Sequence, residues 1–569
     1  MPSSLNFEEE LRNETEKFCL IAGDVMDERP AYSSLSLSSS SSSSSASASR
    51  VAATANGVAI GLNEDVMVIK DRLCGLSSKL QVVPILGMGG IGKTTLARTV
   101  YDDPLIMYHF DIRVWLTISQ DYNARKVLLG LVDSMKLIEE HMSRLEMDDV
   151  SILAEKVYKN LKGRRYLVVM DDVWSTKVWD DVRNVFPDDG NGSRIMLTTR
   201  LADLAVYPDS SSAPHEMRFM NDSQSWDLLK GKVFADSNCP PELEDVGKKI
   251  ARSCGGLPLA VVLVAGFLSE VNKNPSSWEE VSENVINPIV GQELEGILSL
   301  SYTHLPHHLR PCFLFMAMFP EDENIRASRL IRLWLAEGFL KHQNGCSKSL
   351  EEEAEEYLED LVKRNLVIVT SKKSDGKIKC CSLHDMVRDL CIRKAHDEKF
   401  LRVIHGRVVP ESMINERRIS LSLSDFDDIW CPTIHTMLCF QLQSFSRLPA
   451  FLRRFRSLRI LDAVSETSEE LSSQGGKFPW EDMSIIGSLP NLQVLKLIDQ
   501  TFGETWETAD GEFPQLRYLL IERSGLQHWI TESSHFPRLK CLVLRFCQDL
   551  REIPQGIGEI PTLEVLYIK

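Results

Sequence analysis

The stretch Gly87-Met88-Gly89-Gly90-Ile91-Gly92-Lys93-Thr94-Thr95 fits the spacing GxxxxGK[ST]. A strand-like run, QVVPIL, precedes it and the amphipathic LARTVYDD follows. Strand, glycine loop and helix in that order make a phosphate cradle. The glycines let backbone amides curl round a phosphate with no Cβ in the way. The helix offers unpaired N–H groups and its positive dipole end to the anion. Lys93 supplies a point charge to the terminal phosphates, and Thr94 a hydroxyl to Mg²⁺. Such a metal wants an acid. Tyr166-Leu167-Val168-Val169-Met170 reads as a buried strand ending in Asp171 and Asp172. Asp171 is expected to hold Mg²⁺ through water and Asp172 to orient a hydrolytic water. Ile195 to Thr199 is a further strand, and Arg200 at its carboxyl end is a candidate γ-phosphate sensor. Singly, a strand ending in two aspartates is more often a loop start, and a strand-end arginine more often a surface residue. The phosphate loop is what gives both a functional reading.

The elements that must position these residues follow from hydropathy patterning. From about Val58 to Arg200, β-rich apolar runs alternate with amphipathic stretches, which predicts a parallel sheet covered by helices. From about 205 to 400 the pattern turns helical, with Trp226, Leu257 to Leu268, and Leu330 to Phe339 on amphipathic or buried stretches. Gly255 to Leu268 is uncharged but shorter than the ~20 residues a membrane helix needs, so no transmembrane segment is expected. At the other end of the chain, residues 1 to about 30 are polar and acidic. A serine run, Ser38 to Ser45, lies in a Ser/Ala tract with no apolar face to bury, which reads as a flexible linker.

The last third repeats. Leu492-x-x-Leu495-x-Leu497, Leu516-x-x-Leu519-x-Ile521, Leu539-x-x-Leu542-x-Leu544 and Leu563-x-x-Leu566-x-Ile568 start 24, 23 and 24 residues apart. Each follows an apolar-Pro pair, and Leu458-x-x-Leu461 fits less completely. Motifs in phase with a prolyl lead-in predict leucine-rich repeats. Residues that alternate with the later leucines should point outward: Ile460, Asp462, Val494, Lys496, Tyr518, Leu520, Val543 and Tyr567. That ladder is apolar for a solvent face, so something is expected to cover it.

Composition limits the function classes. At 569 residues the chain holds about four domains. Lys and Arg total 64 against 81 Asp and Glu, a net charge of −17, which argues against bulk binding to nucleic acid or anionic lipid. Thirteen cysteines include no CxxC pair, so reduced thiols in the cytoplasm fit better than a disulfide scaffold or zinc module. His304, His307 and His308 cluster round Pro306 and read as a loop and not a metal site.

The motif order resembles the NB-ARC module of plant intracellular immune receptors, the nucleotide-binding leucine-rich-repeat proteins. GMGGIGKTT is followed by HFDIRVWLTIS, YLVVMDDVW, GSRIMLTTR, SWDLL, CGGLPLA, CFLFMAMFPED and LHDMVRDL, in family order. Trp174 after the double aspartate is similar to the coiled-coil subclass. VYDDPLIMYHFDIRVW and VRDLCIRKAHDEKFLRVI resemble its late-blight resistance group. The resemblance implies a multidomain fold of α/β and α parts: a three-layer P-loop NTPase domain at 58–204, a helical subdomain at 205–295, a winged-helix subdomain at 296–405 and a leucine-rich-repeat solenoid at 406–569. Residues 1–30 would be a remnant of the N-terminal coiled-coil domain and 31–57 the linker.

By position, the resemblance implies that Ile60 and Gly61 contact adenine and Pro258 packs near it. His384 would touch the ADP β-phosphate from the winged helix; alone, His384-Asp385 reads as structural. The family usually has Met where Leu383 stands, a volume-conserving swap. The implied function is an ADP-off, ATP-on switch with Mg²⁺, in which any hydrolysis is a slow reset. It would recognise a pathogen effector directly or through a guarded host protein and trigger cell death. A full-length receptor of the family or a second copy is a further candidate partner. The implied location is cytoplasmic, at most peripheral at a membrane. The shortened N-terminus predicts no cell death from this form alone, since its first 50 residues hold no helix long enough to seed a coiled coil. Two other classes stay open: an ATP-driven motor, for which no substrate channel or second catalytic domain is evident, and a nucleotide-binding interaction or decoy protein.

Overall fold

Apolar runs that cannot rest against water on either face become the centre of a parallel sheet. A computed structural model describes residues 60–118, 124–135, 150–208, 213–234, 238–286, 293–340, 349–405, 417–422, 433–440, 451–464, 478–498 and 501–568. The expected N-terminal remnant and the linker lie outside these. Five parallel strands, β1 (Gln81–Leu86), β2 (Ile112–Thr117), β3 (Tyr166–Val173), β4 (Arg194–Thr199) and β5 (His215–Glu216), run in the order β2-β3-β4-β1-β5. Strand alternation splits their side chains between two cores. Val83, Ile85, Val169 and Met196 pack with helices Asn63–Leu73 and Lys93–Tyr101. Val82, Val168, Ile195 and Leu197 pack with helices Ala124–Ser134 and Val150–Leu161. The domain is a three-layer P-loop α/β fold. The carboxyl ends of β1, β3 and β4 open on one crevice, where such sheets bind ligands.

Helices Asp222–Phe234, Pro241–Ser253, Pro258–Glu270 and Pro275–Ile286 follow. Proline opens the second, third and fourth, in the first turn, where the N–H has no intrahelical partner to lose. A Cβ on Gly266 would lie 2.1 Å from the Arg364 carbonyl oxygen. The third helix therefore touches the next unit backbone to backbone. That unit is a winged helix. Helices Leu309–Phe315, Ala327–Glu337 and Leu350–Lys363 pack with an antiparallel sheet of Ile325–Arg326, Ile378–Ser382 and Ile368–Lys372, and helix Asp385–Asp397 follows. Gly338, at φ 73°, ends the second helix, and a capping box of Ser349 and Glu352 starts the third.

Eight parallel strands stack in chain order from Arg402–His405 to Val565–Ile568. The last four start at Val494, Tyr518, Cys541 and Val565, in the predicted register: Leu495 faces Leu519, Leu519 faces Leu542, and Leu542 faces Leu566. Leu495, Leu519 and Leu542 share one core behind the sheet. The opposite ladder is covered. Ile460, Asp462, Val494, Lys496, Tyr518, Leu520 and Val543 are buried, and Tyr567 is half-buried. The apolar members join the same core as the winged helix.

Polar contacts fix that cover in place. Ser420 Oγ donates to the Met318 carbonyl at 2.6 Å, and Arg418 Nε meets Glu337 at 2.7 Å. Asp462, 0 % exposed, receives Arg329 at 3.3 Å and Lys496 at 3.4 Å. Burial alone would raise the Asp462 carboxyl, but the two cations outweigh it and hold it below the ordinary range. Burial pushes Lys496 down to about 8. Replacing Asp462 with Ala strands both cations and should cost about 3–5 kcal/mol, seen as a lower thermal unfolding midpoint. The triple change Asp462→Leu, Lys496→Met and Arg329→Met, which removes all three charges together, should recover most of it. A midpoint for Asp462→Ala equal to the parent's would show that the three charges do not hold the two surfaces together.

Candidate functional site

The phosphate loop follows β1 and runs into helix Lys93–Tyr101, as the spacing predicts. Gly92, at φ 103°, is the cap residue, a conformation L side chains rarely adopt. The loop is also closely walled. A Cβ on Gly89 would sit 3.1 Å from both Arg200 Nη1 and Met386 Sδ. A Cβ on Gly90 would sit 2.7 Å from Leu259 Cβ. Gly87 faces Ile91 and Met217. Met88 is an exposed apolar side chain of the loop.

Lys93 is buried, and its Nζ donates to the carbonyls of Gly87 at 2.8 Å and Met88 at 3.1 Å. Burial lowers its pKa, with Asp172 opposing. Thr94 Oγ1 donates to Asp171 Oδ1 at 3.1 Å, and Thr198 Oγ1 donates to the same oxygen at 2.6 Å. Burial pushes the Asp171 carboxyl up to about 6, against these two hydroxyls. Thr95 is exposed on the first helical turn.

Asp172 is held at φ 54°, at an irregularity in the β3–β4 register. Its N–H donates to Thr198 Oγ1 at 2.8 Å. Such a φ at a non-glycine is tolerated where its surroundings fix it. Arg200, at the end of β4, lies 3.5 Å from Asp172 Oδ2 and hydrogen-bonds Asp385 Oδ2. Its guanidinium carbon lies 4.5 Å from the Trp174 ring centre.

The winged helix supplies the other wall. His384 caps helix Asp385–Asp397, its Nδ1 accepting from the Met386 N–H at 3.3 Å. Burial lowers the His384 pKa, with Asp385 opposing and Arg200 and Lys93 reinforcing. Burial pushes the Glu321 carboxyl up to about 7, with the nearby Asp385 charge adding to it. Pro258 opens helix Pro258–Glu270, and the next N–H, of Leu259, donates to the Gly90 carbonyl at 3.2 Å. Ile60 and Gly61 sit against helix Asp222–Phe234. A Cβ on Gly61 would meet Met220 at 3.2 Å, and Met220 in turn bonds the Gly256 carbonyl, two residues before Pro258.

Lys93, Thr94, Asp171, Asp172, Arg200 and His384 thus converge on the phosphate loop, and Pro258 joins it through Leu259. Ile60 and Gly61 reach this group only through Met220 and Gly256. The residues fit a nucleoside phosphate with a divalent ion. Lys93 is a buried cation turned onto carbonyls, Thr94 and Asp171 are hard oxygen donors, and the loop is too closely walled for a Cβ at Gly87, Gly89 or Gly90. Glu321, Met386 and Leu259 were not singled out from the sequence. Glu321 lies in CFLFMAMFPED, a match that carried no chemical role.

The NB-ARC domain matches residues 62–239, and the disease resistance protein winged helix domain matches residues 318–391. "Late blight resistance protein R1-A" of Solanum demissum is 43% identical over 525 residues, 89% of this chain and 38% of its own length. The chain belongs to the NB-ARC disease resistance proteins, in the late blight resistance group. "Putative late blight resistance protein homolog R1B-16", from the same species, is 40% identical over 70% of this chain and 32% of its own length. This family member therefore spans about a third of the length of the curated relatives it matches. A solved signal transduction ATPase with numerous domains from Pyrococcus horikoshii, with a tetratricopeptide repeat sensor, matches at 16% identity and TM-score 0.37. That match covers 60% of this chain and 43% of its own, and at that level it carries no argument.

The raised Asp171 carboxyl gives a pH signature. In the folded chain it binds a proton that the unfolded chain has already released between about pH 4 and 6. Its contribution to stability therefore falls as pH rises through that window, and the penalty is complete above it. Asp171→Asn should gain about 1–3 kcal/mol at pH 7.5 and little at pH 4.5, measured by denaturant unfolding. Comparing variant with parent cancels the opposite trend from His384. An equal difference at both pH values would show that Asp171 is not strained by burial.

Proposed function

We propose that this resistance protein is a nucleotide-dependent switch: ADP favours a closed arrangement of the α/β domain on the winged helix, and ATP with Mg²⁺ an open one. The observation that carries the reading is the Arg200–Asp385 ion pair. It joins the carboxyl end of β4 to the first residue of helix Asp385–Asp397 of the winged helix, beside the phosphate loop. A terminal phosphate placed there would compete with Asp385 for the same cation. A ligand shifts such an equilibrium only by its difference in affinity for the two states.

In this reading the loop amides and Lys93 bind the phosphates. Thr94 and Asp171 hold Mg²⁺, which neutralises charge between the terminal phosphates. Asp172 orients water for a slow reset, and His384 reads the β-phosphate. Ile60, Gly61 and Pro258 enclose the adenine. Residues 406–569 act as a leucine-rich-repeat solenoid that senses a pathogen effector or a guarded host protein, with cell death as the output. We keep the divisions near 204, 295 and 405 as part of this reading, except that His215–Glu216 pairs within the α/β sheet and Arg402–His405 within the eight-stranded sheet. A purely interacting or decoy role is less well supported, because the strand ladder it would use is buried against the winged helix. Among the described residues no helix is long and apolar enough to cross a membrane. Ten cysteines are free among the described residues, which supports a reducing compartment such as the cytoplasm.

Two outcomes are expected. The purified protein carries ADP, and Lys93→Ala abolishes its retention; equal nucleotide content in the denatured parent and variant would sink the reading. Asp385→Val removes the carboxylate from Arg200 and should speed ADP exchange by roughly tenfold or more, the worth of a part-buried charged hydrogen bond. An unchanged rate of release of a fluorescent ADP analogue would count against the clamp.

A further inference from the structure

Arg200 is placed from two sides, and the two differ in kind. Asp385 and Met386 belong to the winged helix, and they hold Nη2 by an ion pair and Nη1 by a 3.7 Å contact to sulfur. Trp174 belongs to the α/β domain. It follows β3 directly, as Arg200 follows β4, and these strands are neighbours. When the winged helix departs, Asp385 and Met386 leave with it, while Trp174 and Asp172 stay.

The arginine's donors are not fully used. Its Nε is buried and unbonded among the described residues, and a thioether is a weak acceptor for Nη1. That Nη1 is the atom lying against Gly89 of the phosphate loop. The Trp174 Nε1 is likewise buried and unbonded among the described residues. What Trp174 gives its neighbour is therefore the indole face, 4.5 Å from the guanidinium carbon. An indole is the strongest aromatic partner for a cation, and a flat guanidinium stacks on it without spending an N–H.

We propose that Trp174 is a positioning residue that keeps Arg200 beside the phosphate loop after the winged helix lets go, so that its free N–H groups meet the terminal phosphate of a nucleoside triphosphate. The inference rests on the switch reading above and names what selects triphosphate over diphosphate at that site. The indole is a shelf common to both states. On it, Arg200 exchanges one anion, Asp385, for another by a small rotation. Without it, the guanidinium follows whichever carboxylate is nearest, and the loop loses its second cation.

The test compares Trp174→Phe, which keeps an aromatic face, with Trp174→Leu, which keeps apolar bulk without one. Both are made in the whole chain, and Trp174 is half-buried, so neither opens a deep core. The readout is displacement of a fluorescent ADP analogue by ADP and by a non-hydrolysable ATP analogue, each with Mg²⁺. Trp174→Leu should weaken the ATP analogue roughly tenfold while ADP changes less than about threefold, and Trp174→Phe should restore most of the loss. A merely structural role would lower both nucleotides together. Equal behaviour of Leu and Phe, or parallel losses for the two nucleotides, overturns the proposal. A parent chain that binds neither nucleotide overturns the switch reading itself, and that outcome is visible before any variant is made.

Discussion

The charges at the carboxyl edge of the five-stranded sheet set the terms for everything packed round it. Asp171, Asp172 and Asp385 meet Lys93 and Arg200 in a space where water is largely excluded. Removing a carboxylate from water is expensive unless a cation or several hydrogen bonds replace the hydration. Asp171 has two hydroxyls and Asp385 has Arg200, but Asp172 shares that arginine at a longer 3.5 Å. Burial accordingly leaves Asp171 and Asp172 easier to protonate than ordinary aspartates. A site under this strain is the kind that a bound cation and polyanion relieve, because each supplies the counter-charge the protein lacks.

The winged helix stands between that edge and a second polar contact. On one side it offers Asp385 to Arg200. On the other, Arg329, Glu337 and the Met318 carbonyl meet Asp462, Arg418 and Ser420 of the eight-stranded sheet. Aromatic contacts accompany the second set, with the Phe319 and Phe440 ring centres 6.0 Å apart. Buried residues of the helical subdomain, the winged helix and the strand ladder belong to one continuous core. Close-packed interiors do not deform smoothly, so a displacement at Asp385 is poorly absorbed inside the winged helix and loads its far side. The Gly266–Arg364 approach stiffens it further, since the two backbones touch with no side chain between to yield.

How legible this was depended on whether the constraint is local. The phosphate loop was fully legible, because phosphate binding dictates glycines, lysine and threonine within nine residues. The strand order was not readable from the pattern, but the parallel sheet was, since Tyr166–Met170 of β3 and Ile195–Leu197 of β4 are unbroken apolar runs. The repeat period gave the register of the last strands and the direction of each side chain. It could not say what lay opposite. Asp462 and Lys496 looked like ordinary polar members of an outward ladder, and their partner Arg329 is 133 residues away from Asp462. His384-Asp385, taken alone, read as structural for the same reason: Arg200, the partner of Asp385, is 185 residues distant. Glu321 was missed because its raised pKa comes from burial and from Asp385, neither of which leaves a mark on spacing.

Arg200 shows why proximity in space and economy of donors matter more than residue type. The chain has many arginines, and Arg194 sits at the opposite end of the same strand. Arg194 is fully buried and spends its guanidinium on the carbonyls of Arg72, Gly75, Ser77, Lys79 and Ser193, closing the loop that leads into β1. Nothing is left over for a ligand, and the charged side chain that acts on it is another cation, Arg165. Arg200 is half-buried, faces two carboxylates and keeps donors unspent beside a loop built for phosphate. The first arrangement holds a loop; the second can exchange one anion for another. Their positions at the two ends of β4 follow from sheet topology. The amino end meets the connections that close the fold, and the carboxyl end faces the crevice where order reverses and ligands fit. Strand direction alone therefore places one arginine among the connections that close the fold and the other at the crevice beside the phosphate loop.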